Sequence, residues 1–192
     1  MNKNILGIAA ALVMLPIATA ASAQSVTGTV NITGSVAPKC AVTQGGGGTF
    51  SSTVALGELA QADGRLATDL AARFAASPAS LQASVVCTAA APTIAVDATE
   101  ITSATASATG YANRIDFIAR VAVDTVTQTG VPFTNDSRNA AGTATPIGAR
   151  IANNSNNIRI TATDFGTAQA SDLLVAANDY SGRISIVIAP GA

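Results

Sequence analysis

Polar and apolar residues alternate one by one through several stretches of this chain, and that period constrains the fold more than any other feature. Residues 25–36, SVTGTVNITGSV, place Val26, Gly28, Val30, Ile32, Gly34 and Val36 on one face and Ser, Thr and Asn on the other. Successive side chains of extended backbone point to opposite sides, so a period of two predicts a half-buried strand. Residues 114–123, RIDFIARVAV, repeat the pattern with Ile115, Phe117, Ala119, Val121 and Val123 facing inward, and Asp116 and Arg120 outward or paired at an edge. Residues 182–188 repeat it again with Ile184, Ile186 and Ile188. Shorter strands are predicted at 40–42, 50–56, 81–87, 93–96, 147–151, 158–163 and 172–175; residues 125–128 lead into a loop rich in Asn, Asp, Ser and Gly. Many short strands with turn signals between them predict an all-β sandwich. One segment departs from the period of two. Leu66, Leu70 and Phe74 recur every fourth residue, which predicts a short helix over 66–75, weakened upstream by Gly64 and closed by Pro78.

The first residues read as an export signal. Asn2 and Lys3 precede the apolar run ILGIAAALVMLPIATA, and Ala21-Ser22-Ala23 forms a small-x-small site, so residues 1–23 are expected to be a signal peptide cleaved before Gln24. Ala18-Thr19-Ala20 offers a second site. The competing reading, an uncleaved anchor, meets a short apolar stretch, Pro16 within it, and no basic stop after it. Residues 24–192 then form one domain, with 24–36 as an N-terminal strand and 37–192 as the sandwich, expected outside the cytoplasm with no membrane span. In that compartment the two cysteines, Cys40 and Cys87, predict one disulfide; the alternative is a pair of buried free thiols.

Composition removes several function classes. There is no histidine, which excludes Ser-His-Asp and Cys-His catalysis and His-based metal sites. With the cysteines paired, no thiolate nucleophile remains. Lys39, the only lysine after Lys3, reads as a solvated side chain. Carboxylate pairs such as Asp97 with Glu100, or Asp116 with Asp124, would suffice for glycoside hydrolysis, but no motif fixes their spacing. Asn135–Asn139 and Asn153–Asn157 offer oxygen ligands without a calcium-loop pattern, and turn chemistry explains them equally well. The expectation is therefore a non-enzyme with no cofactor and no metal. Formal net charge is −1 with 11% charged residues, which gives no basic patch for nucleic acid.

The stretch GTVNITGSVAPKCAV, residues 28–42, resembles the beginning of chaperone–usher pilins, with its alternating strand, GTV element and first cysteine followed by a small apolar pair. VALGEL, residues 54–59, resembles the pilin segment ending in Leu-Gly before the second cysteine. The related spore coat protein U family has a similar start; VVCTAAAPTIAVD (85–97) and AANDYSGRISIVI (176–188) resemble its second-cysteine region and its final turn and strand. The resemblance implies an immunoglobulin-like, pilin-like sandwich lacking its last strand, in a subunit of a secreted surface fibre or coat. A neighbour's N-terminal extension fills the gap, the recognition mode known as β-augmentation. Here the donor would be about residues 25–34, with Val26, Val30 and Ile32 entering pockets and Gly28 allowing close backbone approach. The implied partners are copies of the chain or related subunits, a periplasmic chaperone and an outer-membrane usher. Alternation alone does not say whether residues 25–34 pair within this chain or with a neighbour. The other reading is a monomeric secreted adhesin that binds a carbohydrate or protein, although the chain has no Trp and only Tyr111 and Tyr180 as tyrosines.

Overall fold

The computed structural model describes residues 27–43, 51–77 and 81–191. The chain divides into two units, Met1–Ser35 and Val36–Ala192. Of the first, residues 27–35 are described; they adopt no regular secondary structure and every one is exposed. The half-buried strand expected over 25–36 is thus not formed over 27–36. Among the described residues its backbone finds no ladder, and Val30 and Ile32 stand 87% and 93% exposed. The expected signal peptide and Val26 lie outside the described residues.

The second unit is all-β with one short helix. In chain order it holds β1 (Cys40–Val42), α1 (Leu70–Ala75), β2 (Gln82–Ala83), β3 (Val85–Cys87), β4 (Thr93–Thr102), β5 (Tyr111–Ala112), β6 (Arg114–Val123), β7 (Val131–Asp136), β8 (Thr145–Pro146), β9 (Ile158–Gly166), β10 (Leu173–Leu174) and β11 (Ser181–Ala189). The main sheet runs β11-β4-β6-β9-β2, with β7 added to β6 and β8 to β4. The pairings within it are antiparallel. β1 pairs antiparallel with β3 alone, and β5 pairs parallel with β10.

β6 is the axis of the core. Its first two residues pair with β4, and its second half lies between β7 and β9. Ile115, Val121 and Val123 are completely buried, and Phe117 stacks on Phe165 with ring centroids 5.6 Å apart. Burying each such side chain stabilises the fold by roughly 1.5–3 kcal/mol. Asp116, expected outward or paired at an edge, is paired and also buried. The register against β9 shifts between Asp116 and Ile118, and the carboxylate is covered there by its partners. There it accepts from Arg114 at 2.8 Å and from Ser137 Oγ, with Arg138 Nε at 3.6 Å.

The helix is shorter than its periodicity predicts. Leu66 is held in a bridge to Ala60 across a turn closed by Gln61 N–H to Arg65 and Ala67 N–H to Leu59. Gly64 takes φ 84° in that turn, a region closed to most side chains. Those backbone groups are committed to the turn, so the helix begins only at Leu70, which is buried where α1 packs on β9. Asp69 and Arg73 add an i, i+4 ion pair at 2.7 Å.

Three other strand expectations change. Residues 51–56 form no strand, and Phe50 lies outside the described residues. The strand expected over 147–151 reduces to a bridge between Ile151 and Thr125, with both isoleucines buried. Conversely β7, whose Pro132 and Asn135-Asp136 read as loop, pairs along its whole length with β6. Asn135 makes this workable, because its Oδ1 accepts from Ala98 N–H and so completes β4 where the two strands adjoin.

Candidate functional site

An apolar cleft of about 1270 Å³ opens within the second unit. Its deep lining is core: Val85, Ile101, Phe117, Ile160 and Ala162. On one side stands β11, with Ile184, Ile186 and Ile188 half-buried. On the other stand β1 and residues 51–60, contributing Val42, Val54, Leu56 and Leu59. Glu58 and Arg183 are the only acidic and basic side chains in the lining. A lining of this kind takes up an apolar occupant and offers little to a charged one.

β11 bonds to β4 along one edge, and among the described residues its other edge has no ladder partner. Its start is firmly placed. Asp179 accepts from Ser103 Oγ and Ala104 N–H, and these bonds, the serine's foremost, hold its carboxyl below the usual carboxylate range. Tyr180 donates its hydroxyl to the Val175 and Ala112 carbonyls, while burial pushes the phenol's pKa upward. Facing β11, β1 is only three residues long and has one strand partner, β3.

The two cysteines meet here. Cys40 and Cys87 are direct cross-strand partners in β1–β3 and form a disulfide across a sequence separation of 47. Cys40 lines the cleft, so the bridge fastens its β1 side to the core strand β3. The other predicted site residues are not gathered with them. Gly28, Val30 and Ile32 lie in the exposed 27–35 segment, and Val26 falls outside the described residues. The lining residues Val54, Leu56, Phe165, Leu174 and Tyr180 were not singled out as site residues in the sequence. Their only sequence signal is the VALGEL resemblance and the turn before the last strand.

The carboxylates considered for catalysis lie elsewhere. Asp116 sits in the arginine cluster described above, and Asp124 follows the far end of β6; neither lines the cleft. Asp124 accepts a bidentate pair of bonds from Arg159 at 2.7 and 2.8 Å and a third from Gly130 N–H at 2.9 Å. The Arg159 guanidinium is the main reason its pKa falls to about 2. Both acids thus act as structural ion pairs. The loop asparagines are also engaged: Asn157, completely buried, accepts from Val85 N–H and donates to the Val85 and Ala152 carbonyls. Among the described residues no group of three or more His, Cys, Asp or Glu could hold a metal, and no helix is long and apolar enough to cross a membrane. The chain matches no protein-family model, no curated protein and no solved structure.

Proposed function

We propose that this protein is a non-enzymatic structural subunit of a secreted surface fibre or coat, assembled by strand donation between copies. In this reading the fold is an immunoglobulin-like sandwich short of one strand, and residues 1–23 are removed on export. About residues 25–34 of one copy enter the cleft of the next. A periplasmic chaperone and an outer-membrane usher are the partners such a subunit calls for.

The observation that carries the reading is a complementarity. One part of the chain is an apolar cleft bordered by an edge of β11 that has no ladder partner among the described residues. Another is an uncharged alternating segment whose Val30 and Ile32 are almost fully exposed. Each is costly by itself: an open sheet edge leaves backbone groups without protein partners, and exposed valine and isoleucine forgo roughly 1.5–3 kcal/mol each. A strand laid along β11 removes both costs. Gly28 suits close approach, since it presents no side chain.

The test mixes the intact protein with a synthetic peptide of residues 24–36. The expected results are uptake of the peptide after mild unfolding and refolding, and linear oligomers of the protein alone. A protein that stays monomeric at high concentration and never takes up the peptide overturns the proposal.

A further inference from the structure

We propose that Arg73 is a positioning residue that fixes the width of the cleft, and thereby the size of the side chains a donated strand can bring into it; this rests on the assembly reading above. The two sides of the cleft are built differently. β11 is laddered to β4, whereas residues 51–59 belong to no strand, although Val54, Leu56 and Leu59 line the cleft. A wall without a ladder must take its place from other bonds. At Gly57 the backbone takes φ 73°, so the wall turns between Leu56 and Glu58. The carbonyls on both sides of that turn, those of Leu56 and Glu58, accept from Nη1 of Arg73.

The rest of the guanidinium is tied to the helix. Nε donates to Asp69 Oδ2 at 2.9 Å, and Nη2 meets Asp69 Oδ1 at 2.7 Å. Asp69 thus holds the planar fork at the angle that aims Nη1 at the wall. α1 in turn packs on β9, with Leu70 buried, and its Phe74 lines the cleft. β9 itself supplies Ile160 and Ala162 to the cleft floor. One path of contacts therefore runs from the floor through α1 and Arg73 to the wall. A wall tied to its own floor resists being pushed outward by a larger side chain, so the cleft discriminates by size. Lysine at this position would keep the positive charge but lacks the fork, and cannot grip Asp69 and two carbonyls in one plane.

The test uses the intact protein, its Arg73→Lys variant and two synthetic peptides of residues 24–36, one unaltered and one carrying Val30→Phe and Ile32→Phe. The unsubstituted protein is expected to bind the unaltered peptide at least about tenfold more tightly, a discrimination within reach of a fixed apolar pocket. In Arg73→Lys that preference is expected to fall below about threefold, because the wall yields to the larger rings. A merely structural loss would weaken both peptides alike and leave their ratio unchanged. That result, or the absence of any size preference in the unsubstituted protein, overturns the proposal. Should Arg73→Lys not fold, Asp69→Asn carries the same test, since it frees the fork while keeping Arg73. Hydrogen exchange of the empty protein gives a second reading. The Ala67 N–H, bonded to the wall at the Leu59 carbonyl, is expected to exchange at least about tenfold faster in the variant, while the Ala76 N–H at the end of α1 keeps its rate. An unchanged rate at Ala67 overturns the proposal. If the unsubstituted protein takes up no peptide, the assembly reading fails, while exchange at Ala67 still reports whether Arg73 holds the wall.

Discussion

Along β6, every second side chain from Ile115 to Val123 is at most 3% exposed, whereas the isoleucines of β11 remain half-buried. Both strands alternate, both are nine or ten residues long, and both belong to the same sheet. They differ in what stands opposite. β6 has strands on both edges and packed side chains over its inward face. β11 has a partner along one edge and a cleft over its isoleucines. Alternation therefore selects the face that prefers burial, and the neighbouring elements determine whether burial is achieved.

The sharpest way to break this comparison is to place the same charge on each strand. Val121→Asp buries a carboxylate without a partner, at a cost of several kcal/mol that rivals the whole stability of a domain this size. It is expected to give no cooperative urea transition. Ile186→Asp leaves its carboxylate able to reach water in the cleft; the protein is expected to fold and to lose peptide uptake. Equal damage from both substitutions would mean the cleft is closed in solution.

Next in size is the bridge on the cleft side. Replacing Cys40 and Cys87 together with serine is expected to lower stability by about 4 kcal/mol in urea denaturation, the loop-closure value for a separation of this length. Asp124→Asn, at the well-packed end of β6, is expected to cost about 2 kcal/mol at neutral pH, from the fall of its pKa to about 2. Its folded pKa lies below the usual carboxylate value. Its contribution is therefore complete above about pH 4 and is lost as pH falls through about 2. The stabilities of Asp124→Asn and the unsubstituted protein should converge over that interval. The smallest effect on stability belongs to the exposed segment. Val30→Asp and Ile32→Asp are expected to change the urea midpoint by less than about 0.5 kcal/mol equivalent, while abolishing self-assembly in light scattering. A large loss of stability would show that the segment is an integral strand of its own fold.

These contrasts also mark how far the sequence could be read. β6, β9 and β11 were legible because their alternation is long and their inward residues are branched or aromatic. β7 was not, since Pro132 and Asn135 are turn residues by composition, and only the adjoining β4 supplies the use Asn135 makes of its amide. Asp116 is paired, one of the two expected outcomes, but its burial depends on Ser137 and Arg138 from beyond β7, about which the local sequence is silent. The helix was overextended because the 60–66 bridge claims Leu66 first. The disulfide could be anticipated from two cysteines and a suspected export signal. The residues that line the cleft carry no such pattern, and only the resemblance to chaperone–usher pilins implied a gap in the sandwich.

The place of the disulfide has a mechanical consequence. Cys40 is the first residue of β1, so a pull on the chain ahead of it meets the bonds of Thr88 to Ala37 and Lys39 and, once these give, the bridged residue itself. Tension then passes through the covalent bond to Cys87 and on toward β4, bypassing the residues between the two cysteines. The three-residue β1–β3 ladder, which would otherwise unzip under small forces, carries none of the load. In the assembly proposed above, tension would part the non-covalent joints first, with the β1 wall of each cleft still fastened to β3.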